Sequence, residues 1–217
     1  MKFFLYTWYF LRSVILRGPL NTLSLLVAEG SEENRYGIQT GKIKHSASSR
    51  FFHYQGAGYL VLNRIFRQLG PMPGFRFTDI GCGKGRVLCV AEHAGFNHLT
   101  GIELDEELIT EAQKNVDVCK TRRATSYFEL IRANALEVNY PNQKTVYFFF
   151  NPFNEEVLEK VIARILQTNA PETWFVYMNP LYAGAFDRAG IPLIHRIKTG
   201  FYTEALIYRH TNNQIIS

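Results

Sequence analysis

The stretch Thr78-Asp79-Ile80-Gly81-Cys82-Gly83-Lys84-Gly85-Arg86 decides how the rest of the chain is read. Phe75 to Ile80 before it is a short apolar run of strand character, and Gly85 to Ala94 after it has helical spacing. Alternating glycines between strand and helix permit backbone angles that a Cβ disfavours, and they leave room for a ligand against the main chain. The turn also directs the free N–H groups of the new helix forward. A tight turn without a ligand is the plain alternative, and the glycines alone do not exclude it.

Downstream, the apolar pattern alternates. Leu99 to Leu104 reads as a strand and Glu106 to Val118 as a helix. Tyr127 to Ile131 and Thr145 to Phe150 read as strands. Glu155 to Leu166 is helical, with Val157, Leu158, Val161, Ile162 and Ile165 on one face, and Trp174 to Met178 is the next strand. Such alternation predicts right-handed crossovers and an α/β fold with a mostly parallel sheet covered on both faces. The tail breaks the rhythm. Leu193 to Ile197 and Ala205 to Tyr208 are strand-like with no helix between them, which predicts an antiparallel hairpin.

Upstream, Pro71-Met-Pro-Gly74 is the clearest punctuation. It divides the chain into a helical N-terminal extension with a possible substrate lid, 1–70, and a ligand-binding domain, 71–217. Gly30 to Phe52 is polar without periodicity and reads as a long loop or lid. From about Tyr54 to Leu69, Leu60, Leu62, Ile65, Phe66 and Leu69 recur at helical spacing, for a helix packed on the following domain. The first residues form a basic amphipathic pattern. Phe3, Phe4, Trp8, Phe10, Leu11, Val14 and Ile15 share one side; Lys2, Tyr9, Arg12, Ser13 and Arg17 lie roughly opposite. The run is too short to span a bilayer and no small-x-small cleavage site follows it. It is expected to lie on a membrane interface, on its own domain or on a second subunit.

The 217 residues suit one domain with an appendage, and 17 Phe and 12 Tyr supply a substantial core. A net charge of +5 is compatible with an anionic partner or with ordinary surface charge. Three cysteines without CxxC spacing argue against a secreted disulfide scaffold or a zinc site, so a cytoplasmic location, with or without membrane association, is expected. The six histidines lack metal-ligand spacing, and no metal is assigned.

A second element joins the glycine turn. Glu103 closes the next strand roughly 20 residues on, where a carboxylate can accept hydrogen bonds from ribose hydroxyls. Together the two predict a nucleoside-binding half-site. A dinucleotide fingerprint would have glycine or alanine where Arg86 stands, which weighs against a nicotinamide-dependent oxidoreductase on a related fold. Asp79, two residues before Gly81, ill suits a pyrophosphate but could bind water or a ligand ammonium group.

Asp79-Ile-Gly-Cys-Gly-Lys-Gly85 resembles the first motif of the class I S-adenosylmethionine-dependent methyltransferases, and Glu103 is similar to that family's ribose-binding acid. The resemblance runs from about Phe75 to the C-terminus. It implies a Rossmann-like, mostly parallel seven-stranded sheet with helices on both faces and a closing antiparallel hairpin. It also implies S-adenosyl-L-methionine as cofactor. Asp79 and the backbone of Gly81, Cys82 and Gly83 would contact its methionine part, Glu103 its ribose, and Asn134 with Ala135 its adenine. That position is often Asp in the family, so Asn134 is a departure.

Phe148-Phe-Phe-Asn151-Pro152-Phe153 ends a buried strand at the same crevice. Asn151 could be only the cap of the next helix. As a functional element, the Asn151 amide oxygen and the Pro152 carbonyl would accept hydrogen bonds from an amine, with Phe153 against the substrate or the sulfonium. The segment is similar to the N/D-P-P-Y/F motif of amino-methyltransferases, with one proline rather than two, and more loosely to protein-lysine methyltransferases. Tyr54 and Gln55 would fold over the methionine carboxylate by the same resemblance. The expectation is therefore methyl transfer to an acceptor, preferably nitrogen, on a protein, nucleic acid, small molecule or lipid headgroup. A non-catalytic nucleoside-binding or membrane-tethered module is the remaining alternative, and the oligomeric state is open.

Overall fold

The computed structural model describes residues 2–40, 56–122 and 126–212. Two helices open the chain, α1 (Lys2–Arg17) and α2 (Pro19–Tyr36), joined at Gly18 with Pro19 at the first helical position. Proline suits that position because its missing N–H would have no partner there. Gly37 ends α2 in the left-handed conformation and donates to the Glu33 carbonyl. Helix α3 (Tyr59–Leu69) buries Tyr59, Val61, Leu62, Ile65 and Phe66.

The core then alternates β1 (Arg76–Ile80), α4 (Arg86–His93), β2 (His98–Glu103), α5 (Glu106–Arg122), β3 (Tyr127–Arg132), β4 (Thr145–Phe150), α6 (Glu155–Leu166) and β5 (Glu172–Met178). A short α7 (Gly184–Arg188) precedes β6 (Leu193–Thr199) and β7 (Tyr202–Thr211). The seven strands lie in the order β3-β2-β1-β4-β5-β7-β6. β1 through β5 run parallel, and β7 is antiparallel to both β5 and β6. This is the expected Rossmann-like sheet with its closing hairpin. Strand order reverses between β1 and β4, where the crevice of such sheets opens at the carboxyl ends.

Burial explains the strand sequences. Thr145 to Phe149 in β4 are fully covered, because helices take up both faces of a central parallel strand. One apolar cluster joins α3 and α4 to one face of the sheet, and a second joins α6 and α7 to the other. Tyr36, Ile38 and Tyr59 belong to the first cluster, so the core continues across the Pro71 linker.

Two expectations are corrected. Gly30 to Tyr36 is the second half of α2, not loop. Its polar residues gave no apolar period because Glu29 and Glu33, one turn apart, pair with the buried Arg86 instead of solvent. Cys89 of α4 and Cys119 of α5 are joined, with Cα atoms 6.1 Å apart. Cysteine spacing did not reveal that pair because two helices, not a local loop, bring them together.

Candidate functional site

The glycine turn leaves β1 with Gly81, Gly83 and Gly85 all at positive φ. At Gly81, φ is +80°, and a Cβ would stand 2.8 Å from the Pro152 Cβ. Glycine there does two things: it permits the turn and lets the Asn151-Pro152 turn after β4 come against it. The first and third predicted elements are thereby in contact.

Asp79 is 2% exposed, and its Oδ2 has no hydrogen-bond partner among the described residues. Burial lifts its carboxyl well above the usual carboxylate range, and the neighbouring Glu103 carboxylate adds to the effect. Glu103 is better satisfied. Its Oε2 accepts from the Gly83 N–H at 2.9 Å, and its Oε1 from the Leu104 and Asp105 N–H groups at 2.8 and 3.0 Å. The strand-end acid therefore reaches across to the glycine turn. Cys82 is buried between these acids. Desolvation first, then Asp79 and Glu103, raise its thiol well above its usual range. A thiol held protonated is a poor nucleophile, so Cys82 serves as a small packing residue.

Asn151 has φ 45°, a left-handed conformation that asparagine tolerates. Its Oδ1 accepts from the Tyr177 Oη at 2.8 Å, and that oxygen in turn accepts from the Tyr182 N–H at 3.3 Å. The helix cap is Asn154, whose side chain accepts from the Val157 N–H at 3.0 Å. Asn151 is thus free of capping duty and is oriented by β5. Phe153 packs at the edge of the second core cluster. Asn134 folds its own turn after β3, its Oδ1 accepting from the Leu136 N–H at 3.0 Å, beside the buried Ala135. Tyr54 and Gln55 lie outside the described residues.

In the sequence Arg86 stands out only as an absent glycine, yet it holds the extension to the domain. Its buried guanidinium bonds Glu29 at 2.6 Å, the Thr40 hydroxyl at 2.6 Å and the Ala57 carbonyl at 2.8 Å, and lies over the Tyr59 ring. Tyr177 and Asn154 were also missed. An asparagine followed by two acids at the start of an apolar-periodic helix was a legible cap signal; no signal pointed to Tyr177.

Could this crevice take S-adenosylmethionine? The ligand's ammonium and sulfonium are cations, and the crevice offers an orphaned buried carboxylate oxygen beside a second acid. A donor cation there would satisfy Asp79 and reverse the penalty on its charge. The residues fit the group.

Comparison with known proteins agrees. Residues 77–172 match the family model described as a methyltransferase domain. Among solved structures, the fold is similar to magnesium protoporphyrin IX methyltransferase from Synechocystis with bound S-adenosylmethionine. That match has 14% identity, TM-score 0.54, and covers 71% of this chain and 79% of that one. A putative RNA methyltransferase from Pyrococcus horikoshii is similar at 15% identity and TM-score 0.54, over 79% and 93% of the two chains. A methyltransferase from Aquifex aeolicus matches at 16% identity and TM-score 0.54, over 68% and 88%. No curated protein sequence matches the chain. Motif, sheet order and domain match converge: residues 77–172 carry a methyltransferase domain, set in a sheet of the class I, S-adenosylmethionine-dependent type.

Proposed function

We propose that the enzyme methylates a nitrogen nucleophile, with Asp79, the Gly81-Cys82-Gly83 backbone, Glu103 and Asn134-Ala135 holding the cofactor. Asn151, Pro152 and Phe153 orient the acceptor, and Tyr54 and Gln55 close over the methionine part. The observation that carries this reading is the contact between the Gly81 turn and Pro152, which sets the acceptor motif beside the cofactor turn.

Bound S-adenosylmethionine supplies a methyl carbon made electrophilic by its sulfonium. The chain's own work is alignment, since an in-line displacement needs nucleophile, carbon and sulfur in register. Asp79 anchors the ammonium, and Glu103 accepts from the ribose hydroxyls once its bonds to backbone N–H groups rearrange. The Asn151 Oδ1 keeps one lone pair beyond the Tyr177 bond, and with the Pro152 carbonyl it can accept two N–H bonds from a neutral amine. That aims the nitrogen lone pair at the methyl carbon. The group would supply the methyl and take the C–S electron pair on sulfur as the N–C bond forms, and the extra proton of the methylated nitrogen would pass to solvent.

The test is transfer of label from methyl-labelled cofactor into fractionated amine-bearing pools. Label should appear on nitrogen, and Asn151→Ala should lower turnover by about 100-fold with cofactor affinity little changed. Label bound to oxygen, sulfur or carbon, or full turnover of Asn151→Ala, would overturn the nitrogen reading.

A further inference from the structure

We propose that the α1–α2 hairpin docks the enzyme on a bilayer of anionic lipid. The two helices are mounted with their apolar stripes outward. On α1, Ser13 bonds Thr22, and Arg17 pairs with the buried Glu204 at 2.6 Å while its guanidinium covers the Tyr202 ring. Ser13 and Arg17 therefore face protein. Trp8, Leu11 and Ile15, at i, i+3 and i+7, face away, and Ile15 is 73% exposed. On α2, Leu20, Leu23 and Val27 repeat the same spacing, with Leu20 81% exposed. Two adjacent stripes of this kind form an apolar face that water does not favour.

Charge selects the occupant. From Lys2 to Ala28 there are three basic residues and no acidic one, and Arg12 is exposed beside the stripe. The Phe201 N–H donates to the Leu16 carbonyl at 2.8 Å, which fixes the β6–β7 turn under the end of α1. A Cβ on Gly200 would stand 2.7 Å from that carbonyl, so the turn can approach only as glycine. The Phe201 side chain is 90% exposed. The same turn carries Lys198 and is bonded by Arg64, which with Arg67 and Gln68 lines a concavity of about 380 Å³. An apolar face edged by positive charge, with a tryptophan on it, matches the interfacial zone of an anionic bilayer. A second copy of the chain would bring like charges together, since each carries +5 overall.

Length excludes spanning by α1. Its 16 residues measure about 24 Å, short of the ~30 Å hydrocarbon core. Among the described residues, no helix is long and apolar enough to cross a membrane. The hairpin lies on the surface. Because β7 runs antiparallel to β5, the β6–β7 turn stands at the carboxyl end of β5, where the Tyr202 hydroxyl bonds Asn179. The docking face therefore adjoins the carboxyl-end rim of the sheet.

The full chain should float with vesicles of equimolar phosphatidylglycerol and phosphatidylcholine, and this should weaken at high salt and with pure phosphatidylcholine. The double variant Ile15→Glu, Leu23→Glu should lose vesicle binding by about tenfold or more, since each site gives up buried apolar area. Both positions are exposed, so its circular dichroism and S-adenosylhomocysteine binding should match the parent. Three results would overturn the proposal: no flotation of the parent, flotation unchanged in the double variant, or a parent dimer in sedimentation that the double variant makes monomeric.

Discussion

Burial lifts the Asp79 carboxyl above its ordinary value near 3.8, and the adjacent Glu103 charge lifts it further. The folded-state value thus exceeds the unfolded one. The bound proton stabilises the ligand-free fold at low pH, and that contribution disappears as pH rises through the raised folded value. Ionising Asp79 in the free enzyme is unfavourable, and a cationic ligand would relieve that penalty. Asp79→Asn should therefore raise the melting temperature of the ligand-free protein by a few degrees at neutral pH, with the gain shrinking toward acid. The same change should weaken S-adenosylhomocysteine binding about tenfold or more. Scanning fluorimetry with and without ligand reads both. A variant that is less stable and binds normally would remove Asp79 from the site.

At the level of elements, the sheet was legible because each strand advertised its surroundings. TVYFFF of β4 could only be a strand covered on both faces, and its predicted bounds match the structure. The ends of β7 were not legible, because Tyr202 and Thr203 at one end and His210 and Thr211 at the other are set by pairing with β6 and β5 rather than by local pattern. The second half of α2 was lost for a related reason: Glu29 and Glu33 answer to Arg86, a partner more than 50 residues away. Long-range pairing also hid the link between α4 and α5. Cys89 and Cys119 enclose 30 residues, and closing such a loop contributes about 3–4 kcal/mol. Reductant should lower the melting temperature of the oxidised parent by about 10 °C and leave Cys119→Ser unchanged. Denatured oxidised protein should titrate one thiol, Cys82. Three thiols and no response to reductant would deny the pair.

Over the whole molecule, a switch in strand order, a glycine turn and a strand-end acid meet at the carboxyl ends of the strands, and the N-terminal helices are pinned to the domain by Arg17 and Arg86. The juxtaposition of Asp79, Gly81 to Gly83 and Glu103 was legible because a tight strand-to-helix turn constrains residue types locally. The roles of Tyr177 and Arg86 were not, since each depends on which element folds against it. The acceptor is the least legible part, because residue types such as those of Asn151 to Phe153 suit many substrates. A crystal grown with S-adenosylhomocysteine tests the central claim most directly. Density should show the ligand's ammonium on Asp79, its ribose on Glu103 and its sulfur facing Asn151 to Phe153. Ligand bound elsewhere, or those three contacts made by other residues, would contradict it.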